Sequence, residues 1–169
     1  LSRDLQLELI NLKNTGFGDR VFEVNRLTNY CGKWIRHSGW YPEYKLRIFP
    51  KNAYWEGTLH EELVLPEKKT VLRLNGHLLH YSYPTVESHL KKMVSYADLA
   101  AKKDLESGRR PTLLLDGMLK PLFVFIRKYF FQAGFMDGYY GFVIGLNSAY
   151  GKFLRYARLR EMQNHDNKT

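Results

Sequence analysis

Two short stretches carry the side chains best suited to moving a proton or holding a cation. "WEGTLHEELVL", residues 55–65, sets Glu61 and Glu62 directly behind His60, in what reads as strand and turn. "HLLHYSYPT", residues 77–85, closes a second strand-like run at His80. A carboxylate at a strand end with a neighbouring histidine can take a proton from a hydroxyl where it faces a cleft. The plain alternative for Glu61, and equally for Glu62, is a solvated glutamate. His80, between Leu79 and Tyr81, is either a metal ligand or a hydrogen-bonded core histidine. The helical His-Glu-x-x-His zinc site is excluded, because Val64 stands where its second histidine would be. No Gly-rich phosphate loop and no Ser-His-Asp pattern occurs.

The 169 residues suffice for one domain with a core, and 44% hydrophobic and 15% aromatic content marks a globular chain. The single cysteine, Cys31, excludes an internal disulfide and a cysteine metal cluster, and fits a reducing compartment. "LSRDLQLELI" is not a signal peptide, since charge interrupts each apolar run. Without a methionine at position 1, the chain is expected to be a fragment or a processed product. The net charge of +9 favours an anionic partner: nucleic acid, anionic lipid or a phosphorylated substrate. From Arg109 onward cations recur beside apolar residues, in "RRPTLLLDGMLKPLFVFIRKYFFQAGF" and "YGKFLRYARLR". Asp116, Lys120, Arg127 and Lys128 keep any run below the roughly 18 apolar residues of a spanning helix. This composition suits a segment lying on a membrane surface.

Several elements must position these residues. Apolar spacing predicts a helix over 3–13 with Ser2 as N-cap, broken by "NTGFG". "RVFEVNRLTNY" predicts a strand with Val21, Glu23 and Asn25 on one face and Phe22, Val24 and Arg26 on the other. "CGKWIRHSGWYPEY" reads as an aromatic loop, "YKLRIF" as a strand, and 55–59 as a short strand. Leu63–Leu65 and Val71–Leu74 are expected to pair across "PEKK", with "HLLHY" finishing the sheet. A long helix begins at the N-capping Thr85 and ends at Gly108. Two more follow over about 113–132, divided or kinked at Pro121, and about 138–161. No internal repeat or flexible linker separates strands from helices, and the tail "NHDNKT" reads as frayed.

The order of these pieces carries more information than any one of them. "NYCGKWIRHSGWYPEYKLRIF", "WEGTLHEEL", "LLHYSYPT" and "DGYYGFVIGLNSAYGKFLRYARL" together resemble the C-terminal half of bacterial family 2 glycosyltransferases of the lipopolysaccharide core glucosyltransferase-like branch. The resemblance covers nearly the whole chain. It implies a mixed α/β chain forming the C-terminal part of a GT-A fold: residues 1–84 the acceptor side of the catalytic domain, 85–169 a helical, basic-aromatic region. It also implies inverting sugar transfer from a nucleotide-sugar to a lipid-linked glycan, with Glu61 as catalytic base and His80 as a ligand of a divalent cation, Mg2+ or Mn2+. In "HSGWYP", Gly39 would allow close approach and Trp40 would stack on a sugar face; the alternative for Trp40 is a hydrophobic plug. Arg47 would serve the diphosphate, or would be a plain exposed strand arginine.

The family's Asp-x-Asp motif is not in this sequence, so the chain is expected to begin just after those carboxylates and to be inactive alone. An enzyme extending a lipid-anchored glycan must work at a bilayer surface, here the cytoplasmic face of the bacterial inner membrane. Lys120, Arg127, Lys128, Lys152, Arg155 and Arg158 are the residues expected to meet anionic headgroups; the alternative is that these helices pack within the protein. A different class of function is a non-catalytic basic module binding membrane or nucleic acid. Nucleic acid is not expected, since the aromatics sit in helical runs without a sheet platform. Nothing in the sequence sets an oligomeric state.

Overall fold

Ser2 opens the first helix because its hydroxyl accepts a hydrogen bond from the Leu5 N–H (3.3 Å), satisfying an otherwise orphaned donor. The computed structural model describes residues 1–56, 62–65 and 67–166, with backbone alone for Trp55, Glu62 and Asp166. Helix α1 runs Arg3–Thr15 and is followed by strands β1 (Arg20–Tyr30), β2 (Lys33–Ile35), β3 (Tyr44–Ile48), β4 (Tyr54–Glu56), β5 (Glu62–Val64) and β6 (Thr70–Tyr83). Helices α2 (Val86–Glu106), α3 (Lys120–Ile126) and α4 (Gly138–Asp166) complete this mixed α/β chain. It forms two compact units: Leu1–Thr28 with Pro42–His80, and Asn29–Tyr41 with Tyr81–Thr169. β1 and β6 contribute residues to both.

In the first unit β1 is paired on both edges, by β3 and by β6. Its residues are buried on both faces, Val21, Phe22, Val24 and Asn25 alike, so the expected alternation of one apolar and one polar face does not hold. Asn25 tolerates burial because its side-chain oxygen accepts the Glu43 N–H (2.9 Å). The antiparallel register joins Phe22 to Ile48 and Glu23 to Leu46, passing over Arg47 as a bulge. β5 pairs with β4, Tyr54 opposite Val64, and not with β6 as the sequence led us to expect. The 14-residue β6 pairs instead with the 11-residue β1.

α1 lies on β6 through specific bonds. Ser2 exchanges hydrogen bonds with the His77 backbone (2.9 Å each way), and the Glu8 carboxylate accepts the Asn75 and Gly76 N–H groups (3.0 and 2.9 Å). Leu5, Leu12, Phe22, Val24 and Leu74 form the core beneath. Gly76 sits at the point of closest approach, where a Cβ would overlap the Leu5 backbone.

The second unit contains a strand that the sequence read as loop. Cys31 and Gly32 both take positive φ (49° and 88°), a two-residue turn that folds β2 back on β1. Cysteine is not a usual residue for the first position of such a turn, which hid the hairpin. α2 begins at the expected Thr85 with a reciprocal Thr85–Ser88 cap. The expected 113–132 helix is divided: a π-helical turn over Leu113–Leu119, then α3, then a second π-helical turn over Arg127–Phe131. Pro121 stands just past the change from π-helical to α-helical bonding, with Leu119 and Lys120 both in helical backbone and the Lys120 N–H on the Leu115 carbonyl. A 3-10 turn, Gly134–Asp137, leads into α4, which packs on α2 and α3. Tyr30, Ile35 and Ile144 form one core and Ala101, Tyr156 and Leu159 another. Among the described residues no helix is long and apolar enough to cross a membrane.

Gly76→Ala is expected to destabilise the chain by about 3 kcal/mol, because the overlapped neighbour is helix backbone and cannot swing aside. Urea unfolding checks this through a lower midpoint at an unchanged slope.

Candidate functional site

The end of β1 brings Tyr30 into the second unit, fully buried. Its hydroxyl meets Nδ1 of His89 at 3.0 Å, and the Asn147 amide nitrogen meets the same atom at 3.2 Å. An amide NH2 only donates, so Nδ1 is an acceptor and the imidazole proton resides on Nε2. Burial, reinforced by the Lys128 charge, pushes His89 down to about 4. Burial likewise pushes the Tyr30 hydroxyl up to about 12. The phenol therefore stays protonated and the imidazole neutral at pH 7. Trp40 and Tyr83 enclose the ring, with centroids 5.7 and 4.7 Å away.

Trp40 is held by a costly loop. Ser38 adopts a φ of 59°, and it is buried with no partner for its hydroxyl oxygen among the described residues; the Gln132 side-chain oxygen is likewise unpartnered. Positive φ at a non-glycine and orphaned buried oxygens each cost on the order of 1–3 kcal/mol. Offsetting bonds pin the loop: the Ser38 N–H donates to the Gln132 carbonyl (2.9 Å), and Lys128 Nζ to the Ser38 carbonyl (2.9 Å). Gly39 does permit a close approach, but by the Gln132 amide, which a Cβ there would strike. Buried Asp137 fixes the preceding residues, accepting the His37 N–H (2.8 Å), the Arg36 N–H (3.2 Å) and His37 Nδ1 (3.1 Å).

Trp40, Tyr83 and His89 line one open pocket of about 410 Å³, together with Arg127, Lys128, Lys152 and Arg155. No carboxylate is among its lining residues. Arg155 is neutralised from behind by Asp104 in a two-bond pair (2.7 and 2.6 Å). Arg127, Lys128 and Lys152 form no ion pair among the described residues. The arrangement can attract an anion and offer it a neutral N–H from His89. His89 itself does not act as an acid at neutral pH.

The residues singled out from sequence divide between the two units. Glu61, with His60, lies outside the described residues; Glu62 belongs to β5. His80 is half-buried in β6 and Arg47 is exposed at the β3 bulge with Nη1 on the Leu46 carbonyl (3.0 Å), both in the first unit. Among the described residues no three His, Cys, Asp or Glu side chains converge to hold a metal. Gly39, Trp40 and the six cations belong to the second unit. Lys120 bonds the buried Asp116 (2.7 Å), as does Arg109 (3.0 Å), and Arg158 pairs with Asp98 (2.7 Å). Burial opposes the charge of Asp116, yet hydrogen bonds from Lys120 and Thr112 outweigh it and hold the carboxyl well below the usual range. Tyr30, His89, Asn147 and Asp137 went unseen in the sequence. His89 lies 59 residues from Tyr30 and 58 from Asn147, so no local spacing reveals them.

The chain is similar to proteins named as glycosyltransferases. The chain is 30% identical over 101 residues to the lipopolysaccharide core biosynthesis glycosyltransferase LpsC of Rhizobium meliloti (strain 1021), covering 60% of this chain and 37% of that protein. It is 28% identical over 109 residues to an uncharacterized glycosyltransferase of Rickettsia bellii (strain RML369-C), covering 62% and 37%. A third relative, an uncharacterized glycosyltransferase of Rickettsia prowazekii (strain Madrid E), is 29% identical over 53% of this chain and 30% of its own. The chain thus spans less than two-fifths of the length of these curated relatives. No family model matches it, and no solved structure does. These likenesses are to glycosyltransferases, at low identity.

His89 sets a pH dependence. Its folded value lies below its ordinary 6.5, so the unfolded chain binds more protons between pH 6.5 and about 4. Stability is therefore full above 6.5 and falls as pH drops to about 4, by roughly 3 kcal/mol in all. Asp104, held low chiefly by Arg155, and Asp116 add losses only below about pH 4, the ordinary carboxylate value. Denaturant unfolding across this range should show the fall, and His89→Gln should flatten it.

Proposed function

We propose that this sequence forms the acceptor-side, C-terminal part of an inverting family 2 glycosyltransferase of GT-A fold. It moves a hexose from a nucleotide-sugar to a cell-envelope glycan such as lipopolysaccharide core. The observation that carries this reading is the similarity to LpsC, a protein named for that biosynthesis, at 30% identity over 60% of the chain. The pocket beside Trp40 supports it, since an aromatic ring next to cationic donors suits a sugar bearing negative charge.

In this reaction Glu61 accepts the proton of an acceptor hydroxyl as that oxygen bonds the anomeric carbon. The bond to the nucleotide diphosphate breaks, and its electron pair leaves with the diphosphate, inverting the configuration. A divalent cation, Mg2+ or Mn2+, would supply charge neutralisation for the leaving group if bound. His80 is the ligand this chain would contribute, and Arg47 a further cation for the diphosphate. In the whole polypeptide carrying this sequence, Glu61→Gln should lower the transfer rate by at least about a thousandfold while nucleotide-sugar affinity stays within about twofold. Radiolabelled sugar transfer and equilibrium dialysis check the two halves. Normal turnover would remove Glu61 from the mechanism.

The reading includes contact with the cytoplasmic face of the bacterial inner membrane. Leu113, Leu114, Met118, Leu122, Phe123 and Phe131 are all exposed along the π-turn, α3, π-turn segment, with Leu113 at 81% and Phe131 at 77%. Such a run, flanked by the exposed Arg127, fits an apolar surface seated below anionic headgroups. Lys120, Arg155 and Arg158 pair with carboxylates of the chain itself, so the apolar run with Arg127, Lys128 and Lys152 carries this contact. Leu114→Glu combined with Phe131→Glu should cut co-sedimentation with anionic vesicles at least about fivefold without altering the unfolding midpoint.

A further inference from the structure

Arg127, Lys128 and Lys152 gather on one concave surface that no carboxylate lines, and none of the three forms an ion pair among the described residues, although Asp104 feels the charge of Lys152. Like charges converge at a cost, which a bound anion removes. Their setting is also unlike a flat charged face. The same lining carries the rings of Trp40, Tyr83 and Tyr96 and the side chain of Met93. The volume of about 410 Å³ falls within the range of small-ligand sites, roughly 300–1,000 Å³.

His89 adds a directional donor. It is 8% exposed, and its Nδ1 is taken up by Tyr30 and Asn147. The Nε2–H is what remains for a ligand in the pocket that His89 lines. Because the ring carries no charge, its N–H would orient an acceptor oxygen, while the lysines and Arg127 supply the attraction. Ser148, also on the lining, donates to the Ile144 carbonyl (2.7 Å) and keeps its lone pairs free to accept a sugar hydroxyl.

We propose that this pocket binds a phosphate group carried on a sugar, with the phosphate among Arg127, Lys128, Lys152 and the His89 Nε2–H, and the sugar ring against Trp40. The choice of a sugar as carrier rests on the transferase reading above; the phosphate site stands on the pocket alone. In a glycan acceptor, such a site would fix a phosphorylated residue while another hydroxyl reacts. The same phosphate chemistry could belong to a free glycan or to a lipid headgroup, and the test separates them.

Calorimetric titration of the chain with a hexose phosphate, the parent hexose and inorganic phosphate reads the site directly, without donor or transfer. The hexose phosphate should bind at least about tenfold more tightly than either of the others. Lys152→Gln and Arg127→Gln should each weaken it about fivefold or more at an unchanged unfolding midpoint. Trp40→Ala should abolish its advantage over inorganic phosphate while leaving phosphate binding in place. Vesicles containing phosphatidic acid form the second arm: soluble hexose phosphate should bind without them. Binding to vesicles alone, insensitive to hexose phosphate, would assign these cations to a lipid surface and overturn the pocket. Absence of binding, or binding untouched by Lys152→Gln and Arg127→Gln, would overturn it too. Hexose phosphate binding with normal transfer by Glu61→Gln would leave the pocket standing and remove the transferase mechanism. Loss of transfer in that variant without any hexose phosphate binding would do the reverse.

Discussion

Tyr30 and Asn147 converge on a single nitrogen of His89, at 3.0 and 3.2 Å, inside a ring of aromatic side chains. An imidazole placed there can accept on Nδ1 only while it is neutral, and burial keeps it so. Three elements meet at this contact: the end of β1 through Tyr30, the start of α2 through His89, and the middle of α4 through Asn147. A charged ring would expel the amide donor and place one more cation beside Lys128. The second unit thus depends on a polar contact among rings, with Trp40, Tyr83 and Tyr140 packed against Tyr30.

The loop carrying Trp40 is tied to the same region from the other direction. Lys128 reaches back to the Ser38 carbonyl and Gln132 receives the Ser38 N–H, while Asp137 collects the donors of Arg36 and His37. These bonds offset a serine at positive φ and two buried oxygens without partners. Lys128 also lowers the tendency of His89 to charge, so one ammonium both fixes the loop and helps keep the imidazole neutral. Its own affinity for a proton is reduced by burial and by Arg127.

Charge in the helical part is sorted by depth. Asp104 and Asp116 are buried and each draws two bonds or more from arginine, lysine or threonine, which is how a carboxylate survives removal from water. Tyr156 lies beneath Arg109, Lys120, Lys152 and Arg155, its ring face stacking cations that would otherwise repel one another. Of the four cations that border the pocket, Arg127, Lys128 and Lys152 form no ion pair among the described residues, and Arg155 pairs with Asp104. The apolar residues displayed by the π-turns and α3 form a separate surface feature on the same unit.

Local rules were enough for the elements with strong punctuation. Ser2 and Thr85 as caps, the division near Pro121 and the strand at 20–30 were all legible, because each depends on neighbours within a few residues. The hairpin at Cys31–Gly32 was not, and the partners of β5 and β6 were assigned wrongly, since strand pairing is decided by length and burial across the whole sheet. Glu61 and its role are argued from sequence and resemblance only. Helical spacing marked Arg127, Lys128, Lys152 and Arg155 as basic but could not show that they border one pocket with Trp40, a residue read for a different task. That decision belongs to tertiary packing: α2, α3 and α4 cross at faces set by side chains far apart in the chain, and only their contact determines which cations meet a carboxylate and which are left facing a cavity.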